Sequence, residues 1–518
     1  MKRTISILLA VLLASFAFTA LAQEKTLLTE ETKTITYMRS ENAPTPIQQN
    51  TPSHRQALER TGIDFQIVPV TAADYSTKMN ALYAAGDLPD IFGTFGMTKR
   101  EMVEDGAILA LGDLIDKYAP EIKKIYEENP ELERTMVDGE IYSLPMIRRD
   151  ENWEKGCTPM IRVDLLEKNG IAKPTTWPEL ADVLAKLHEL YPDMVPWGAR
   201  GQNRAIGLDS LSWVTSFGAD YNAYMDKDGV WHMGRIEPEY KDAVTFLRGM
   251  VEKGLLDSEY LTTNHQTWIE GLSSGKFMFW YDNPVFAAQV NAALNTIDPT
   301  ARFEPLQILE NPYGYERNYQ QPTNYVDEYY FSADTKDPEL LIKFMNWAYS
   351  NEGMYTFNYG YEGESYTLDE KGNPQWTQAI LDKYAGNENA YYAVQSDLGI
   401  LNNNFSPSWL NLCVEAFRTG ASGSNAVDAK YVHEFYKDNP SIYEKTKEPP
   451  LSAQQAARIQ EIKQNLDDFS ATEINKFVMG VRPMEEYDSF VQEMTDRGAK
   501  EWADILNEAE KTFQELVK

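Results

Sequence analysis

Asp64–Phe92, DFQIVPVTAADYSTKMNALYAAGDLPDIF, is the stretch that decides the fold. Phe65, Ile67 and Val70 read as a strand from Asp64 to Val70. Tyr75, Met79 and Leu82 then recur at helical spacing. Gly86 ends that helix, and Leu88-Pro89-Asp90-Ile91-Phe92 enters a further strand. Upstream, Thr34 to Met38 alternates as a first strand and residues 53–61 read as helix. Strand–helix–strand alternation is the mark of a mostly parallel sheet covered by helices.

The alternation continues downstream. Thr176-Trp177-Pro178-Glu179 carries a capping box, with Leu180, Val183, Leu184 and Leu187 as the apolar face behind it. Tyr224 to Met233 centres on Asp228-Gly229 and reads as a β-hairpin. Lys276–Tyr281 and Tyr325–Phe331 are expected strands, and Pro338 opens a helix through Tyr349. Phe490, Val491 and Met494, then Trp502, Ile505, Leu506 and Phe513, make the C-terminal region helical. Glu448-Pro449-Pro450 reads as a loop between helical segments.

The chain opens with Lys2 and Arg3, an apolar run from Ile5 to Phe18, and Ala20-Leu21-Ala22 before Gln23. This is the pattern of an export signal cleaved after Ala22, too short to serve as a comfortable membrane span. No cysteine follows that would take a lipid anchor, so the expected location is the periplasm. The 518-residue length exceeds one ordinary core and implies more than one lobe. A formal charge of −31 disfavours nucleic acid and anionic membrane surfaces as partners. The two cysteines, Cys157 and Cys413, lie far apart in sequence, and their spacing leaves a disulfide open.

Motifs for catalysis fail on context. Gly271-Leu272-Ser273-Ser274-Gly275 matches G-x-S-x-G, yet helix precedes the serine and strand follows it, the reverse of a nucleophile elbow. Gly271 to Lys276 has the wrong spacing for a phosphate loop. The five histidines include no i, i+4 pair that would hold zinc. Asp226-x-Asp228-Gly229 lacks the other oxygen ligands of a calcium loop and reads as a hairpin tip. Paired acids of the glycosidase kind have no sequence signature that fixes their separation. No catalytic residue, metal or cofactor is therefore expected.

Several segments together resemble the family 1 extracellular solute-binding proteins of carbohydrate ABC importers. They are Ala84–Phe92, Leu114–Pro120, Asp138–Pro145, Ile161–Leu166 with Pro174–Leu180, Tyr359–Gly363 with Tyr366, and a tail around Phe477–Gly480 and Trp502. The set is most similar to the uronate and complex-oligosaccharide subgroup, which includes the LplA-like and alginate-binding proteins. One departure stands out. Where alginate-binding members carry an Asp/Asn-rich calcium loop, this chain has Tyr191-Pro192-Asp193-Met194-Val195-Pro196, so no calcium is expected there.

The resemblance implies an α/β, two-lobed periplasmic-binding-protein fold of type II-like topology, each lobe a mixed sheet flanked by helices. The expected N-terminal lobe comprises residues 23–148 plus about 320–352. The expected C-terminal lobe comprises 149–319 plus about 353–518, with hinge crossings near 148, 319 and 352. An oligosaccharide would bind between the lobes and pass to the permease subunits of the transporter, and the protein would act as a monomer. By position, the resemblance points to Trp213, Trp280 and Trp409 as stacking rings, with Tyr281 and Asp282 beside the second. Arg39, at the end of the first strand, is a candidate to fork onto a carboxylate or vicinal hydroxyls, and Tyr361 and Glu362 in the matching Gly-x-x-Gly turn are further ligand-binding candidates. Arg148 and Arg149 hint at an anionic ligand. The rival readings are a secreted glycoside hydrolase or lyase, and a binding protein for a non-sugar solute such as a peptide.

Overall fold

A computed structural model describes residues 27–41, 46–149, 157–201, 213–282, 286–307, 309–314, 319–321, 325–387, 390–401, 404–417, 442–444 and 446–516. Its strands are β1 (Lys33–Glu41), β2 (Ile63–Thr71), β3 (Ile91–Phe92), β4 (Ser143–Arg148), β5 (Thr158–Arg162), β6 (Val195–Trp197), β7 (Ala223–Met225) and β8 (Trp231–Met233). They continue as β9 (Phe277–Asp282), β10 (Phe303–Pro305), β11 (Tyr319–Gln321), β12 (Tyr325–Phe331), β13 (Tyr366–Leu368), β14 (Pro374–Trp376), β15 (Ser408–Trp409) and β16 (Ile442–Glu444).

The opening alternation forms as read. Helix Pro52–Thr61 ends at Gly62 and helix Tyr75–Ala85 at Gly86, both glycines left-handed at φ 79° and 65°. β1 pairs in parallel with β2 on one side and β3 on the other. The full sheet runs β15-β4-β12-β3-β1-β2, with only β12 antiparallel to its neighbours. One face buries Ile35, Tyr37, Phe65 and Ile67 against helix Pro338–Tyr349; the other buries Met38, Val70 and Phe92 with Tyr75 and Met79. Burial on both faces matches the apolar density of these strands.

The second sheet runs β10-β5-β9-β6, with β5 the antiparallel member. Its larger core joins helix Trp177–Leu190, helix Pro238–Glu252 and the C-terminal helices Ala453–Val478, Tyr487–Asp496 and Ala499–Leu516. The capping box differs from expectation in one detail. Thr176 accepts from the Glu179 N–H at 3.2 Å, but the Glu179 carboxylate turns to the N–H and hydroxyl of Thr175. β7 and β8 form the expected hairpin, closed by the Asp226 carboxylate accepting from the Asp228 and Val230 N–H groups. Helix His265–Ser273 precedes β9, so Ser273 has the helix-before-strand context that excludes an elbow. Cys157 and Cys413 are buried free thiols.

The chain leaves the first sheet after β4, returns to it with β12, and leaves again after β15. The third crossing departs from expectation. Residues 353–417, expected in the second lobe, belong to the first. β15 pairs with β4, and helix Asn351–Tyr359 packs on helices Pro338–Tyr349 and Pro52–Thr61. The change of lobe thus falls after Phe417 and before helix Ala453–Val478, not near 352. Two crossing segments pair with each other, β11 running parallel to β16.

Candidate functional site

Strand direction locates the site. Each sheet contains one reversed strand, β12 in the first and β5 in the second, and each reversed strand follows a crossing. A chain that exits a parallel strand at its carboxyl end and enters the other sheet in reverse joins two carboxyl edges. The rims that face each other across the hinge are therefore the carboxyl ends of the parallel strands, where ligands of open α/β sheets bind.

On the first rim stand Arg39, Arg148, Arg149, Ser408 and Trp409. Arg39 donates from Nη1 to the Tyr37 hydroxyl at 2.5 Å. β15 is tied to the end of β4 by Ile147 N–H to Pro407 O at 2.8 Å and Arg149 N–H to Trp409 O at 2.9 Å. That pairing holds the half-buried Trp409 ring beneath the Arg148 guanidinium, 5.5 Å from its centroid. Arg149 is exposed, with Nε 3.4 Å from the Ser408 hydroxyl.

On the second rim, Arg200 donates from Nη2 to Asp282 Oδ1 at 2.9 Å. The Asp282 side chain is 4 % exposed and that of Arg200 19 %, so the pair is largely dry but reachable from its cationic end. Two glycines bracket Arg200. A Cβ on Gly198 would lie 2.3 Å from the Phe277 ring, and one on Gly201 would lie 1.9 Å from the Thr263 carbonyl oxygen. The segment is pressed onto its neighbours, which fixes where Arg200 emerges. Its guanidinium lies 5.6 Å from the Trp268 centroid and 5.4 Å from that of Phe286.

The sequence candidates divide. Arg39, Asp282, Trp409 and the half-buried Tyr281 stand at the rims. Trp280 does not: it is 0 % exposed, edge-on to Trp268 at 5.4 Å, and is core. Trp213 is 2 % exposed in a cluster with Trp177, Trp197 and Phe217. Neither ring offers a face to a ligand in this conformation. Tyr361 and Glu362 are also structural. Tyr361 donates its hydroxyl to the Glu59 carboxylate, and Glu362 pairs with Arg60 at 3.2 Å. Both anchor the far end of helix Pro52–Thr61, away from the rim, since β2 starts at the opposite edge. Arg200 was missed, although the pattern it follows was visible. An apolar residue gives way to arginine at Met38-Arg39, two residues before the end of β1, and at Ile147-Arg148, the end of β4, and Trp197-Gly198-Ala199-Arg200 repeats this with two small residues between.

A cavity of about 740 Å³ lies along the hinge between the lobes. Lys99, Arg134 and Met136 line it from the first lobe and Asn222, Trp231 and Lys463 from the second, with residues 446–451 between. Lys447 connects it to the first rim, its Nζ 4.5 Å from the centroid of Tyr325 at the start of β12. Among the described residues no helix is long and apolar enough to cross a membrane.

Known proteins agree with this architecture. The fructooligosaccharide ABC transporter substrate-binding protein FusA of Streptococcus pneumoniae is 26% identical over 374 residues, 66% of this chain and 67% of that one. The polygalacturonan/rhamnogalacturonan-binding protein YtcQ of Bacillus subtilis is 22% identical over 474 residues, 89% of this chain and 87% of its own. Among solved structures, alginate-binding protein AlgQ2 without calcium ion superposes with a TM-score of 0.71 at 20% identity, covering 94% of this chain and 100% of that one. An HMO-binding, ABC-transporter-associated solute-binding protein from Bifidobacterium longum infantis gives 0.74 at 16% identity, covering 93% and 99%. These likenesses carry the two-lobed fold. The model of the bacterial extracellular solute-binding proteins matches residues 46–355, more than half of the sequence, and the chain belongs to that family.

Proposed function

We propose that this protein is the exported, solute-capturing component of an ABC importer, that its cargo is an oligosaccharide, and that it catalyses no reaction on it. The observation that carries the reading is the pair of rims: Trp409 with Arg39, Arg148 and Arg149 on one lobe, Arg200 with Asp282 on the other. An aromatic face accepts the C–H face of a pyranose ring, while forked guanidinium and carboxylate groups match vicinal hydroxyls. A sugar spanning the cleft gains contacts with both rims only when the lobes close, so binding selects the closed state. The closed form is then what the membrane permease receives, and a periplasmic monomer suits that task. The sugars for which FusA and YtcQ are named support an oligosaccharide over a peptide.

The test is a thermal-shift screen of the chain from Gln23 onward against neutral and uronic oligosaccharides, with each mixture checked for breakdown. A ligand that binds only the folded state raises the melting temperature. A shift with one sugar class and intact sugar supports the proposal. Degradation of the sugar converts the reading to an enzyme, and a flat panel returns it to a non-sugar solute.

A further inference from the structure

Arg134 touches three parts of the molecule at once. Its Nε donates to Glu131 at 2.7 Å within the first lobe. Nη1 and Nη2 fork onto the two carboxylate oxygens of Glu510 at 2.6 and 2.8 Å, on the last helix of the second lobe. Nη1 also lies 3.5 Å from the Lys447 carbonyl, on the third crossing. The pair is dry, with side-chain exposures of 2 % and 8 %. Glu510 is held from its other sides by Trp231 Nε1 at 3.2 Å and Gln514 Nε2 at 3.0 Å, and the Arg134 guanidinium lies 4.7 Å from the Phe513 centroid.

We propose that the Arg134–Glu510 pair is the fulcrum of lobe motion, so that these two positioning residues decide which edge of the interlobe seam can open. Pulling one partner from a buried pair leaves an uncompensated charge in a dry site, a strongly unfavourable outcome. A motion that preserves the pair is therefore preferred over one that splits it. The pair also lies beside the crossing segment, where rotation displaces atoms least. Lobe motion about this point leaves the Arg134 seam in contact and varies the separation of the rims that carry Arg39, Trp409 and Arg200. A bidentate fork fixes orientation as well as distance, which an apolar contact of equal area does not. The inference concerns the unliganded chain and stands whatever the cargo is.

The experiment measures the distance between spin labels on cysteines introduced at Lys78 and Glu189, exposed positions on opposite lobes, in the full mature chain without ligand. The native cysteines are buried. The expected result is a narrow distribution in the parent chain, at least doubled in width by Arg134→Met or Glu510→Gln, with a lower melting temperature in both. The double variant Arg134→Met/Glu510→Met removes both charges and leaves neither unpaired, so it regains melting temperature while the distribution stays broad. This separates orientation from stability and covers the case in which a single variant fails to fold. A parent distribution already broad, unchanged widths in the variants, or a double variant that regains both stability and narrowness would each overturn the proposal.

Discussion

His54 is expected to make the first lobe sensitive to mild acid. It sits in helix Pro52–Thr61, 6 % exposed, with its ring 6.4 Å from that of Phe65, and neither ring nitrogen has a hydrogen-bond partner. Burial pushes its pKa down from 6.5 to about 4, against the weaker pull of Asp64 in the other direction. The unfolded chain therefore takes up a proton as pH falls below 6.5, while the folded chain stays neutral until about 4. The stability is fully present above the unfolded pKa and is lost progressively as pH falls from there to the folded one. At pH 5 the loss works out to about 2 kcal/mol, since each tenfold preference for protonating the unfolded chain is worth about 1.4 kcal/mol. In a lobe of this size that is roughly 4–8 °C of melting temperature. Many carboxylates titrate over the same range, so the readout is the difference between the parent chain and His54→Leu. Leucine removes the titration and leaves no unsatisfied nitrogen, so at pH 7.5 the variant is equally or more stable. Calorimetric melts from pH 7.5 to pH 5 are expected to show the variant gaining on the parent by those few degrees. Parallel curves would refute the reasoning, because they would mean the imidazole is solvated or paired in the folded state.

Four further outcomes follow from the same geometry. Trp280→Ala empties a fully buried ring and is expected to cost about 3–5 kcal/mol of stability, seen as a lower melting temperature before any ligand is added; an unchanged melt would contradict its core placement. Trp409→Ala is expected to weaken binding of the stabilising sugar at least tenfold, about 1.4 kcal/mol, in a calorimetric titration, and unaltered affinity would remove Trp409 from the site. Arg200→Ala removes the guanidinium donor 2.9 Å from the buried Asp282 carboxylate and is expected to destabilise the second lobe by about 1.5–3 kcal/mol, the worth of a hydrogen bond to a charged group, whereas a neutral effect in urea unfolding would show that Arg200 does not hold Asp282. Burial pushes the Glu510 carboxyl up, but hydrogen bonds from Arg134, Gln514 and Trp231 outweigh it and hold the pKa below the usual glutamate range. Its contribution is thus present above the ordinary pKa and lost as pH falls through the lowered one, and Glu510→Gln should flatten that part of the acid melt.

The elements legible in sequence were those set by local periodicity. Asp64–Phe92 folds as read because apolar spacing and the left-handed Gly86 fix strand, helix and turn within a few residues. Trp280, which the resemblance places in the cleft by position, is core for a physical reason that the sequence contains. Phe277-Met278-Phe279-Trp280 is a continuous apolar run, and a central strand of that kind has both faces covered, leaving no face for a cleft ring. The third crossing and the Tyr361–Glu362 turn were hidden differently. β15 meets β4, and Glu362 meets Arg60, across hundreds of residues. Such pairings leave no periodic trace, since the partner strand or helix offers the same signal whichever distant segment covers it.

The rim, by contrast, follows from connectivity once strand directions are known. The parallel strands β1, β4 and β6 all point at the hinge, so whatever residue follows their apolar run is delivered to the cleft. In this chain the residue is arginine in each case: Arg39, Arg148 with Arg149, and Arg200 after a two-residue extension. A chain of net charge −31 has thus placed cations where its topology converges. Arg39 and Arg148 adjoin aromatic groups, the Tyr37 hydroxyl and the Trp409 ring, and Arg200 lies over Trp268. A guanidinium held against an aromatic ring loses less side-chain freedom when a ligand arrives than one projecting from a loop. The strand ends therefore supply both position and preorganisation, and under the proposed function the recognition chemistry of the cleft rests on where the apolar runs stop.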